Sequence, residues 1–93
     1  MLMHMVSFKY KATTTEAERE EHRQRLAGLS MLTGVLDLKV GPDRVGSPRS
    51  YDTGLIIAFP NRAALDAYQV DPQHVPVRDF GVSICEHIVA VDF

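Results

Sequence analysis

The sequence has a single cysteine, Cys85, among its 93 residues, so no disulfide can form within the chain. Tryptophan is absent, and no run of Lys or Arg builds a basic stripe. With a net charge of −2, this argues against a surface for nucleic acid or anionic membrane. No apolar stretch approaches transmembrane length, and the opening Met-Leu-Met-His-Met-Val lacks the basic region of a signal peptide. A cytoplasmic protein is the expectation. Metal spacings such as H-x-H or H-E-x-x-H are missing, and no Cys/His cluster has structural zinc spacing, so no metal site is expected. The glycines of the 41–50 stretch are too few and wrongly spaced for a phosphate cradle.

What remains is one domain, residues 1–93, with an ordinary apolar and charged composition. A domain this small buries only roughly 60–65% of its unfolded-chain surface. Without disulfides or a metal, a partner subunit is the remaining way to enlarge the core.

Periodicity places the elements. Leu2 to Tyr10 reads as a strand with Leu2, His4, Val6, Phe8 and Tyr10 on one face and Met3, Met5, Ser7 and Lys9 on the other. Thr15 and Glu18 have the spacing of a capping box, which opens a helix with acidic residues in its first turn and a Glu21–Arg25 pair. Its buried stripe is weak at the start, with Ala17 and His22 as candidates, and stronger at Leu26 and Leu29. Gly34 suits the turn that follows. Val35 to Val40 reads as a second strand, and the Pro- and Gly-containing stretch to Ser50 as a hairpin connection. Tyr51 to Phe59 is a third strand; Asn61 then caps a helix carrying Ala64, Leu65 and Tyr68. Asp71-Pro72 starts a further turn, which Pro76 disturbs and Gly81 ends. Val82 to Phe93 closes the chain as a strand.

This order is the ferredoxin-like βαββαβ arrangement: an α+β fold with a four-stranded antiparallel sheet and helices on one face. The uncovered face should then be polar, yet apolar residues occupy both faces of three strands. Leu55, Ile57 and Phe59 oppose Ile56 and Ala58, for example. A second copy packing its sheet against this face would cover it, so a homodimer is expected.

Met-His-Met-Val-Ser-Phe-Lys-Tyr-Lys at the start resembles the opening strand of the stress-responsive A/B barrel family. Tyr68-Gln69-Val70-Asp71-Pro72-Gln73-His74 resembles that family's Tyr-x-x-x-Pro-x-His signature. Leu38-x-x-Gly41-x-Asp43 and Tyr51-Asp52 fit between them, so the resemblance spans the chain. It implies a dimeric α+β barrel with two sheets face to face, and a pocket between sheet and helices.

His74 is the first candidate for chemistry. Asp71 at an N-cap and Pro72 at the first helical position would set it in the first turn of a helix. There the macrodipole favours the neutral imidazole, able to accept a proton. Tyr68 could present a hydroxyl to the same space, and the pair suits proton abstraction beside a carbonyl. The resemblance implies such cofactor-free cyclisation in one branch of the family, with a histidine and a tyrosine at these places. The opposing reading makes His74 the brace of an irregular turn and Tyr68 a core aromatic.

His4 is the second candidate, a polar group on an apolar wall with Val6 and Phe8; Leu26 faces them from the helix as a further ligand-binding residue. A backbone carbonyl could equally satisfy His4. His22 sits among charged residues and is expected to be solvated; His87 is weaker still, and Cys85 is expected to be a buried core residue. Three functions follow. A small apolar or carbonyl-containing molecule could be bound without turnover. A cyclase or lyase could use His74 as general base and Tyr68 as its partner. A monooxygenase of the same barrel is a third reading, weakened by the lack of tryptophan and of a clear haem ligand. No resident cofactor is expected.

Overall fold

Alternation along the first ten residues produces β1, Leu2–Tyr10, with His4, Val6, Phe8 and Tyr10 buried on one side. The computed structural model describes all residues, Met1–Phe93. After β1 come α1 (Glu16–Gly28), a 3-10 turn (Leu29–Met31), β2 (Asp37–Pro42) and β3 (Thr53–Phe59). Then follow α2 (Arg62–Gln69), α3 (Val75–Ile84) and β4 (Cys85–Asp92). The sheet order is β2-β3-β1-β4 with every neighbouring pair antiparallel. The chain therefore has the α+β ferredoxin-like fold, its second helical segment divided into α2 and α3.

Local chemistry starts each helix. Thr15 accepts from the Glu18 N–H at 3.1 Å, and Glu18 accepts from the Thr15 N–H at 2.9 Å, a complete capping box. Asn61 accepts from the Ala64 N–H at 3.0 Å and starts α2. Gly34 turns the chain after the 3-10 segment with φ of +89°, which only glycine adopts without strain, and packs beside Ala64. The central strands then meet the helices: Leu55, Ile57 and Phe59 of β3 pack with Leu26 and Leu29 from the α1 side, and with Leu65 and Tyr68 of α2. Ile57 and Phe59 are completely buried, worth roughly 1.5–3 kcal/mol each against exposure.

Several expected boundaries move. The second strand begins at Asp37 rather than Val35 and runs on through Gly41 and Pro42. The third begins at Thr53; Asp52 before it still bonds to both sides, its N–H donating to the Phe8 carbonyl at 2.8 Å and its carbonyl accepting from the Asp43 N–H at 2.9 Å, while its carboxylate accepts from the Tyr10 N–H at 2.8 Å. The largest difference lies near the C-terminus. Pro76 does not disturb a helix; it occupies the first turn of α3, where its missing N–H is no loss. Gly81 does not end a turn but lies inside α3, which continues through Ile84, so the last strand starts at Cys85 rather than Val82. The reason is His22: a Cβ on Gly81 would come within 2.8 Å of its Nε2, so the close approach of α3 to α1 requires glycine.

The face away from the helices is apolar along its middle. Met5 pairs with Ile56 on one side and Val91 on the other, with Met3, Ala58 and Val89 adjoining. Met5, Ile56, Val89 and Val91 are exposed in the isolated chain. Asp37 and Lys39 of β2 border this stripe.

Candidate functional site

A cavity of about 170 Å3 lies between the helix-facing side of the sheet and the three helices. Its volume is close to the roughly 150 Å3 of an apolar cavity that holds benzene. His4, Val6 and Phe8 of β1 form its floor and Leu26 of α1 one wall, while Tyr68 and His74 enter from α2 and the turn before α3. The six residues singled out from the sequence thus border one space. Ile88 and Ala90 of β4 extend the floor, because they lie opposite Phe8 and Val6 in register.

His74 is held by the turn that the sequence places there, in a different position from the one expected. It stands at the N-cap of α3, and Asp71 organises the turn before it by accepting from the Gln73 N–H at 2.8 Å. The His74 Nδ1–H donates to the Gln69 carbonyl at 3.3 Å. A carbonyl only accepts, so the proton belongs on Nδ1 and Nε2 is left as the free acceptor of the neutral ring. Burial is the main force holding its pKa below the ordinary histidine value; Arg78 and His4 lower it further, while the Gln69 bond and Asp71 oppose them. The Tyr68 ring lies 4.3 Å from the His74 ring between centroids, and burial raises its hydroxyl pKa. That hydroxyl is suited to donate rather than to ionise.

His4 finds a partner other than a backbone carbonyl. Asp92 lies opposite it in the β1–β4 register, and its carboxylate accepts a short hydrogen bond from Nδ1–H. The imidazole is oriented as a carboxylate-supported base or donor, with its ring 6.1 Å from that of Tyr68. Asp92 carried no signal in the sequence, because cross-strand register cannot be read from a strand's own pattern.

The solvated position expected for His22 is wrong. His22 is only 1% exposed and shares the inner stripe of α1 with Leu26, four residues on. Its ring packs edge-on against Phe8 at 4.7 Å. A chain of hydrogen bonds reaches the ring. The Arg23 guanidinium donates to Thr53 Oγ1 at 3.2 Å. The Thr53 hydroxyl and Tyr10 Oη share a hydrogen bond at 2.9 Å, and Tyr10 Oη shares another with His22 Nδ1 at 2.8 Å. Nε2 has no partner. Burial, with Arg23 and Arg25 nearby, lowers the His22 pKa to about 4, so the ring is neutral at pH 7. The i,i+4 spacing of His22 and Leu26 was the signal available in the sequence.

Other candidates fall outside the cavity. His87 lies on the outer face and is exposed, opposite to the side that carries His4. Cys85 is buried, and desolvation pushes its thiol up to about 11, which removes it as a nucleophile near neutral pH. The β2–β3 connection is closed on itself by Asp43, which accepts from the Val45 and Gly46 N–H groups. No helix is long and apolar enough to cross a membrane.

No curated protein sequence matches this chain. Solved structures do. A dimeric ferredoxin-like protein of unknown function from Jannaschia sp. is 29% identical, with a TM-score of 0.83 over 99% of this chain and 96% of that one. Another from Thermobifida fusca is 22% identical, with a TM-score of 0.90 over 99% and 88%. A hydroxynitrile lyase from Passiflora edulis is 15% identical, with a TM-score of 0.88 over 99% and 90%. At the identities of the last two, the likeness carries the fold alone. The family model described as Stress responsive A/B Barrel Domain matches residues 2–93, so the chain belongs to that family.

Proposed function

We propose that this protein is a homodimer, joined through its outer sheet faces, that binds a small carbonyl compound in the cavity between sheet and helices. The observation that carries the reading is the lining: apolar walls from Val6, Phe8, Leu26 and Leu55 enclose polar groups from His4, Tyr68 and His74. Apolar walls supply affinity and the few polar groups fix orientation. The volume of about 170 Å3 sets the ligand at one small ring or a short chain. It gives no support to a haem-dependent monooxygenase. The related structures described as dimeric support the assembly, as does the apolar stripe around Met5.

A second reading, cofactor-free proton transfer, is favoured by the His74 tautomer. With Nδ1–H tied to Gln69, Nε2 can take a proton from the carbon beside a bound carbonyl while the Tyr68 hydroxyl donates to the developing oxyanion. A hydroxynitrile lyase shares the fold. Its low identity leaves the residue roles to be tested here.

One experiment separates the two. Cyclohexanone is added in D2O, and both binding and exchange of its α-protons are followed by NMR. Binding without exchange above the buffer rate assigns the cavity to binding alone. Enzyme-dependent exchange that His74→Ala lowers by about 10²–10⁴-fold, with the melting temperature retained, assigns His74 as the base. Absence of any ligand-induced shift at cavity residues, with cyclohexanone or other small carbonyl compounds, would sink the reading.

A further inference from the structure

We infer that the ligand of this cavity is a small carboxylate, its apolar body among the walls and its carboxylate held by Arg78 at the mouth. This rests on the cavity being a binding site and adds the charge of what enters it. Arg78 borders the cavity one turn after His74 on α3, and its N–H donates to the His74 carbonyl within the helix at 2.9 Å. Every side chain at the cavity that carries polar atoms is a histidine, a tyrosine, a glutamine or this arginine; no carboxylate lines it. Asp92 stands behind His4 and is engaged with it. The lining thus carries one permanent positive charge and no carboxylate of its own.

The guanidinium is also poorly committed elsewhere. Arg23, Arg25 and Arg62 each meet a carboxylate one turn away, at 3.1, 2.5 and 2.8 Å. Arg78 has only Asp79, the next residue, at 3.4 and 3.5 Å. Adjacent residues on a helix do not face each other, and an exposed pair of this length holds its partner weakly. A planar fork of N–H donors at the rim of an apolar cavity matches a carboxylate in both charge and geometry.

Binding there would also act on His74. The groups that face its ring are Tyr68 from α2, His4 from β1, Asp71 from the preceding turn and Arg78 from α3. The Arg78 charge disfavours the imidazolium. A carboxylate seated on Arg78 offsets that charge, so an anionic ligand raises the proton affinity of His74 and a neutral one does not.

Benzoate and benzamide separate charge from shape, since they differ in little else. Both are titrated into the protein and into Arg78→Gln at low ionic strength, following backbone amide and histidine ring shifts by NMR. Arg78 is exposed, so the variant folds. The expected result is benzoate binding about 5–10-fold more tightly than benzamide, a preference that added salt weakens and Arg78→Gln removes. The His74 pKa rises with benzoate alone. Equal or tighter binding of benzamide, or a benzoate preference that survives Arg78→Gln, overturns the inference and leaves the cavity reading standing. No binding of either ring overturns both.

Discussion

His22 illustrates how one side chain constrains two elements. Its Nδ1 terminates a hydrogen-bond chain that begins at Arg23, and its Nε2 faces the Cα of Gly81 without a partner. Gly81→Ala should therefore destabilise the protein by roughly 1–3 kcal/mol, despite the better helix propensity of alanine. In a His22→Ala background the same change should become neutral or stabilising by up to about 1 kcal/mol. Denaturant melts of the four proteins check this, and equal effects in both backgrounds would exclude the contact as the cause. The same ring sets a pH dependence. Its folded pKa of about 4 lies below the unfolded value of about 6.5, so between those values only the unfolded chain takes up the proton. Stability is full above pH 6.5, falls as the pH drops toward 4 by on the order of 3 kcal/mol, and loses nothing more from this group below that. His22→Gln removes the titrating ring at a similar volume and should flatten this part of the pH–stability curve; an unchanged slope would assign it to other groups. Among cavity residues, His4 was visible as a polar group on an apolar strand face, and Tyr68 and His74 through the Asp71-Pro72 turn and the signature that the stretch resembles. Asp92 and Arg78 carry no such signal, and they join the site only through strand register and helix rotation.

At the scale of elements, start signals proved more legible than stop signals. Thr15 with Glu18, and Asn61, act within three residues of themselves and appear in the structure as read. Thr15→Ala should cost about 1 kcal/mol of stability, measurable as a lower denaturant midpoint with an unchanged slope. An effect near zero would mean that packing of Leu26 and Leu29 holds α1 without its cap. The end of α3 was misread because Gly81 usually marks a helix end, whereas here its lack of a side chain admits His22. Val82 and Ile84 suit a strand as well as a helix, and local preference cannot choose between them. Ile84 is instead buried as the last residue of a helix, with its carbonyl accepting from the Thr14 hydroxyl at 2.7 Å.

On the scale of the whole molecule, the proposed assembly rests on the outer sheet face. Met5 sits at its centre, between Ile56 and Val91. Met5→Lys places a charge where a second sheet would pack, and burial of an unpaired charge is costly. The variant should remain folded and sediment as a monomer at concentrations where the unaltered chain is a dimer. A dimer that persists in Met5→Lys would move the interface to another surface.

The order of elements and the two-faced apolar strands follow from residue alternation, capping residues and turn residues, all of which act over a few positions. The α+β ferredoxin-like fold was therefore legible from the chain alone, while the six residues from His4 to His74 that border one cavity were named partly through the family resemblance. Register, helix rotation and tautomer were decided only in three dimensions. Asp92 reaches His4 across 88 positions, Gly81 reaches His22 across two helices, and the Gln69 carbonyl selects the His74 nitrogen left free. Such contacts depend on how whole elements settle against each other, and local propensity carries no record of a partner so distant in the chain.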